Sequence, residues 1–339
     1  MFIINHRKLF FLIASLTVGL SLAAVLLFGL NTGIDFSGGS IVEVSYQAGE
    51  RPNTQLLRER INDRFPGSVV QTAGEQNIIV KTAQFSDADK AELDLLLATE
   101  TNLAITTERF KSIGPVISNE LKNKSVFALI LVGLTIIAFI AYVFRTVSQP
   151  VTSYKYGLVA IVALLHDILI PLGVFAVLGL FFVDYQIDVL FVTALLAILG
   201  FSVNDTIVVF DRIRENLRLA LDTGKPVTKQ AFENIVGISL NQTFLRSFNT
   251  SLTTLAVLLA LIVFGSEATR PFAVVLAVGV IAGTYSSLFL ASPLLVWLES
   301  KQDDAVIAER LAEEKKAAKR AADSDLPTDV QRFLDRKKS

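Results

Sequence analysis

The chain has 339 residues, of which 52 % are hydrophobic and 19 % charged, and its mean hydropathy of +0.54 is too high for a wholly soluble protein. Lys+Arg 31 against Asp+Glu 32 leaves a net charge of -1, with no overall basic surplus that would advertise nucleic-acid binding. The absence of cysteine excludes disulfides, zinc–cysteine sites, iron–sulfur clusters and thiol catalysis.

In chain order, residues 9–30 run without a charge. At about 1.5 Å per residue, such a run crosses a hydrocarbon core of roughly 30 Å. Arg7 and Lys8 give it a positive flank, but it exceeds the roughly 7–15 residues of a signal-peptide core, so it reads as a retained helix. Residues 31–123 form the one sizeable polar insert. Alternation predicts strands at 40–46, 68–73, 78–83 and 105–110. Helical spacing predicts helices at 53–65, with Leu57, Ile61 and Phe65 four apart, and after Ser86, where Asp89 makes a capping-box-like pair. The Pro66-Gly67 turn and Gly74 punctuate these elements. The order β-α-β-β-α-β suits a ferredoxin-like split βαβ sheet. With no metal spacing, phosphate loop or nucleophile elbow, it reads as a binding or lever module.

Five further apolar runs follow within 124–298: 125–144, 157–183, 189–210, 240–264 and 271–298. The fold class is therefore a polytopic α-helical membrane protein of six transmembrane helices, with one α+β ferredoxin-like domain between the first two. Arg7, Lys8, Arg145, Lys155, Arg212, Arg214, Arg218, Lys225, Lys229 and the basic tail fall on one side of the spans, leaving Arg270 opposite. Both termini are then expected in the cytoplasm and the insert outside. Residues 299–339 read as a charged cytoplasmic tail, either a solvated helix or disordered anchor, or a segment attracted to anionic lipid or to a ribosome.

Three of the runs carry residues that cost about 2.5–3.5 kcal/mol in a membrane. Asn204-Asp205 interrupts the fourth span, and Arg246 lies about six residues inside the fifth. Their helices run in opposite directions, so Asp205 and Arg246 are expected to share one depth and meet as an ion pair. Thr243, Arg246, Thr250 and Thr254 form a polar stripe, read either as interhelical glue or as a hydrated ion path. His166-Asp167 interrupts the third span; the two side chains point about 100° apart on a helix and need not touch, leaving a proton relay or a structural pair open. Gly279, Gly283, Ser287 and Ala291 make a small-residue packing stripe in the last span.

These residues together resemble the SecF family of bacterial protein-translocase subunits, within the resistance–nodulation–division superfamily. Gly33-Ile34-Asp35-Phe36-Ser37-Gly38-Gly39 after the first span is similar to the family signature, and Ile113-Gly114-Pro115 opens a second motif. His166-Asp167, the stretch from Ser202 through Asn204-Asp205 to Asn216, Gln242-Thr243 through Arg246 to Thr254, and Gly283 to Ser287 complete the set; Ser247-Phe248 departs from the family pattern. The resemblance implies pairing with a SecD-like subunit, association with the SecYEG channel, contact with translocating polypeptide and membrane lipid, and use of the proton motive force. It further implies proton passage at Asp205 and Arg246, with no enzyme activity, cofactor, metal or nucleic acid. A small-molecule exporter subunit of the same superfamily is the alternative, disfavoured by an insert of about 80 residues, and a polytopic membrane enzyme lacks any supporting motif.

Overall fold

Alternation at positions 42, 44 and 46 and four-residue spacing at 57, 61, 93 and 97 build one apolar layer between a sheet and two helices. The computed structural model describes residues 2–46, 54–73, 76–99, 105–144, 153–182, 184–222, 228–266 and 269–299. The tail beyond Glu299, the Gly74 turn, Arg145 and Lys225 lie outside the described residues. After a short α1 (Phe2–Asn5), helix α2 (Arg7–Phe28) is the first span, and α3 (Ile34–Ser37) is a single turn. Then come β1 (Gly39–Tyr46), α4 (Thr54–Arg64), β2 (Val69–Ala73), β3 (Asn77–Thr82), α5 (Asp87–Thr99) and β4 (Ile105–Ile113).

This is the β-α-β-β-α-β order read from the sequence. The sheet runs β2-β3-β1-β4 with every neighbouring pair antiparallel, the split βαβ arrangement. Val42 opposes Val80 on one side and Phe110 on the other, and a bulge between Glu43 and Val44 shifts the register against β4. Ser86 and Asp89 cap α5 reciprocally: the Ser86 N–H donates to Asp89 Oδ2 at 2.9 Å and the Asp89 N–H to Ser86 Oγ at 3.3 Å. β4 extends to Ile113, three residues past the expected end, because Lys111, Ser112 and Ile113 continue the pairing with Ile41, Ser40 and Gly39.

The remaining spans lie on α6 (Pro115–Val143), α7 (Ser153–Phe181), α8 (Val189–Asp222), α9 (Lys229–Phe264) and α10 (Arg270–Tyr285). The last continues through a π-helical turn, Ser286–Ala291, to Glu299. Among the described residues six helices are long and apolar enough to cross a membrane. Several overrun the apolar runs: α6 begins at Pro115, α8 continues to Asp222 and α9 starts at Lys229. Hydropathy marks where a helix leaves lipid, and backbone hydrogen bonding carries it on into water.

Close approach of helices depends on small residues, as the stripe in the last span suggested. A Cβ on Gly279 would lie 2.1 Å from Ile198 Cδ1, and one on Gly283 would lie 3.0 Å from Ser202 Cβ, so α10 packs tightly on α8. Gly173 of α7 meets Ser21 of α2 in the same way. The segment between α2 and β1 is pinned to the α7–α8 loop by a parallel bridge between Thr32 and Ile187. Gly38 and Gly39 both have positive φ, and a Cβ on Gly39 would lie 2.5 Å from the Thr82 carbonyl, so a side chain there is excluded twice over.

Candidate functional site

The interior of the helix bundle buries an uncommon number of polar side chains for a membrane core: Lys155, His166, Asp167, Ser202, Asp205, Thr206, Ser239, Thr243, Ser247, Ser251, Ser286 and Ser287. Asp167 on α7 is 0 % exposed. Its Oδ2 accepts from Ser286 Oγ at 2.9 Å and from Ser202 Oγ, while its Oδ1 lies 2.9 Å from His166 Nδ1. Where His166 donates from Nδ1 to this carboxylate, a neutral imidazole has Nε2 as its acceptor nitrogen. His166 Nε2 is buried without a hydrogen-bond partner. The imidazole stacks on Tyr285, whose hydroxyl donates to the Phe10 carbonyl at 2.7 Å. His166 and Asp167 therefore do touch, although they are neighbours in sequence.

Two backbone irregularities sit at this cluster. Pro171 lies inside α7 and has no N–H to donate to the carbonyl four residues earlier, that of Asp167. The π-helical turn in the last span begins at Ser286, which turns Ser286 and Ser287 inward together. Ser287 Oγ donates to the Ser202 carbonyl at 3.2 Å and lies 2.8 Å from Thr206 Oγ1. The polar contacts thus pass from α7 through the last span to α8, one turn from Asp205.

Asp205 is 8 % exposed, and its Oδ2 is buried with no hydrogen-bond partner. Ser247 of α9 approaches it without completing a bond, so Ser247 Oγ is unpartnered too. The expected ion pair with Arg246 is not formed, and Arg246 is exposed on the outer surface of the bundle. The reason is helical phase. The face of α9 turned inward is Ser239, Thr243, Ser247 and Ser251, spaced by four, so the stripe through Arg246, Thr250 and Thr254 is only buried at its first member. Arg246 sits about 100° around the helix from Ser247. Asn204 and Thr250 are likewise exposed.

Sequence reasoning missed Ser202, Ser286 and Ser247 as members of the polar core, and it missed a buried ion pair at the far end of the bundle. Lys155 Nζ lies 2.6 Å from Glu299 Oε2, both side chains almost fully buried. Lys155 read as a flank and Glu299 as the start of the tail; a contact between residues 144 apart leaves no local signal. The signature residues Gly33, Asp35, Gly38 and Gly39 gather with Gly114 and Pro115 where the sheet meets the helix ends. Pro115 Cα lies 3.7 Å from where a Gly38 Cβ would be. Among the described residues no group of three or more acidic or histidine side chains is arranged to hold a metal.

Residues 95–301 match the family model for "Protein export membrane protein SecD/SecF, C-terminal", and residues 23–50 match that for the "SecD/SecF GG Motif". The chain is 39 % identical over 314 residues to the protein translocase subunit SecF of Thermobaculum terrenum, covering 88 % of this chain and 94 % of that protein. It is 37 % identical over 300 residues to that of Anaerolinea thermophila, with 88 % and 94 % covered. The crystal structure of SecDF from Thermus thermophilus superposes with a TM-score of 0.73 at 32 % identity, covering 88 % of this chain and 38 % of that longer chain. These relatives are translocase subunits rather than exporters. With the glycine turn beneath the sheet, the six spans and the matches over most of its length in agreement, the chain belongs to the SecF family of protein translocase subunits.

Proposed function

We propose that this chain is the SecF half of a SecD–SecF unit that uses the proton motive force to assist polypeptide export through SecYEG, and that Asp205 carries the proton. One observation supports this above others: a carboxyl oxygen is held inside a membrane span with no partner, at a cost of about 2.5–3.5 kcal/mol that a purely structural helix would avoid. Asn204, Arg246 and Thr250 lie nearby in sequence but on the outside of the bundle. Arg246 already acts on Asp205 through space without an ion pair, and a SecD-like subunit seated there would desolvate it and strengthen that interaction. Residues 31–123 then form the extracytoplasmic domain, residues 9–30 and 124–298 the membrane part, and both ends of the chain face the cytoplasm.

In this reading, proton uptake at Asp205 removes a charge from the α8–α9 contact and shifts the balance between two helix packings. One proton crossing about 100 mV supplies roughly 2.3 kcal/mol, comparable to the cost of exposing one such charge to lipid. The His166–Asp167 pair is a second stop for the proton, with Nε2 as the free acceptor. The test is Asp205→Asn co-expressed with SecD. Membrane vesicles should lose proton flux and at least tenfold of the gradient-dependent stimulation of preprotein translocation, at unchanged amounts of complex. Flux and stimulation at the level of the unmodified protein would refute the assignment.

A further inference from the structure

The Asp35 carboxylate is 5 % exposed and holds partners from two parts of the molecule. Its Oδ1 lies 2.6 Å from Lys111 Nζ of β4, and its Oδ2 accepts from the backbone N–H of Val189, the first residue of α8, at 3.2 Å. That helix end already has its own cap, since Asp188 Oδ1 accepts from the Phe191 N–H at 2.8 Å. Asp35 takes a second of the free N–H groups at that helix start, and does so from 154 positions away while also holding Lys111 of the sheet.

Asp35 is itself rigidly held. The Ile187 N–H donates to the Asn31 carbonyl at 2.8 Å, and the Gly33 N–H to the Ile187 carbonyl at 3.0 Å. Gly39 packs directly on the Thr82 carbonyl of β3. The carboxylate lines a cleft of about 500 Å³ between the open face of the sheet and the ends of α7, α8 and α10. α8 carries Ser202, Asp205 and Thr206, and from Val189 to Asp205 is about 24 Å of one continuous helix.

We propose that Asp35 is a positioning residue for the coupling step: it fastens the sheet to the N-terminus of α8, so that movement of the domain and rearrangement at Asp205 become one motion. The proposal rests on the proton-coupled reading above. Charge-assisted bonds to Lys111 and to a helix N-terminus stiffen and orient a joint at which Ile34 also packs on Ile41, Ile79 and Ile113. An amide at position 35 keeps the shape and an acceptor for Val189 but loses the ionic arm.

The experiment uses vesicles containing the full chain with SecD and SecYEG, and reads proton flux, gradient-stimulated translocation and the amount of complex. Asp35→Asn and Lys111→Met should each lower stimulated translocation at least tenfold, while flux and complex stay within twofold. Lys111→Arg, which keeps a cation opposite Asp35, should recover most of the stimulation. Lys111 is half exposed, so its substitution leaves the domain folded. Unchanged translocation in Asp35→Asn overturns the proposal, as does a parallel fall of flux, translocation and complex, or Lys111→Arg behaving no better than Lys111→Met. If Asp205→Asn is inactive while Asp35→Asn is normal, the joint alone is disproved. If Asp205→Asn is itself normal, the proton reading falls and this proposal with it.

Discussion

Behind the sheet the buried cluster is Val42, Val44, Leu57, Ile61, Val70, Ile78, Val80, Phe85, Leu93 and Leu97, with Tyr46 as its one polar-tipped side chain, whereas the bundle interior holds two aspartates, a histidine and a run of hydroxyls. The two cores answer to different solvents. In water, covering apolar surface contributes about 25 cal/mol per Å² and selects aliphatic side chains. In lipid, a leucine is no better off inside the bundle than outside, so helices are held by small residues in close contact and by hydrogen bonds between polar groups. In the sheet domain the buried hydroxyls Ser40 and Ser68 sit at the margin of the apolar cluster and are hydrogen-bonded, while in the bundle polar groups make up the middle of the core. The sharpest tests apply one kind of lesion to both cores.

The largest effect is expected at Asp167. Replacing it with leucine strands Ser202, Ser286 and His166 Nδ1 together, and removing one member of a buried charged network costs about 3–5 kcal/mol. Thermal unfolding of the chain in detergent should show this as a large fall in the transition temperature. A loss under about 1 kcal/mol would mean that the network does not hold the bundle.

Next comes the close helix contact. Gly279→Val drives methyl groups into Ile198 and should cost about 1–3 kcal/mol. Ile198→Ala combined with Gly279→Ala should recover much of it, because the clash lies against a side chain rather than backbone. Gly200, with nothing within 4 Å of its would-be Cβ, should accept alanine at no cost. Equal effects of alanine at 279 and 200 would show that small residues are not what brings α8 and α10 together.

These contrasts explain which features were legible in the sequence. The six spans, the order of the sheet elements, the Ser86–Asp89 cap and the glycine stripe all follow from local periodicity, and the structure contains each of them. The polar core was legible only in its charges. Asp205 and Asp167 stand out against lipid, but serines such as Ser202 and Ser286 are nearly neutral there and are drawn inward by a carboxylate on another helix. Arg246 misled for a related reason: +3 and +4 spacings both keep residues roughly in line, and the choice between the stripes passing through Arg246 and through Ser247 is made by what α8 presents.

On the other face of the sheet, Lys81 lines the cleft. Burial pushes its ammonium down to about 8 from an ordinary 10.5; Asp184 opposes the shift and Arg109 adds to it. Between those two values the unfolded chain binds more protons than the folded one, so stability rises with pH across that window. Lys81→Met should raise the transition temperature near neutral pH and flatten this dependence. The same pH profile in both proteins would show that the cleft is open enough to hydrate the lysine.

The smallest effects give the cleanest comparison, because both cores contain buried hydroxyls with no partner. In the sheet domain Tyr46 is one, its phenol pushed up by burial to about 12; in the bundle, besides Tyr156 and Ser292, Ser247 beside Asp205 is another. Removing an unsatisfied hydroxyl restores no lost bond and spares a desolvation cost, so Tyr46→Phe should be neutral or stabilising by up to about 1 kcal/mol, with no change in translocation. Ser247→Ala should be just as harmless to stability. If that hydroxyl becomes a partner of Asp205 when the carboxyl changes its protonation, however, gradient-stimulated translocation should fall severalfold in Ser247→Ala alone. Stability of the two variants from thermal unfolding, set against their activity in vesicles, separates a hydroxyl merely tolerated in a core from one that takes part in a change at Asp205.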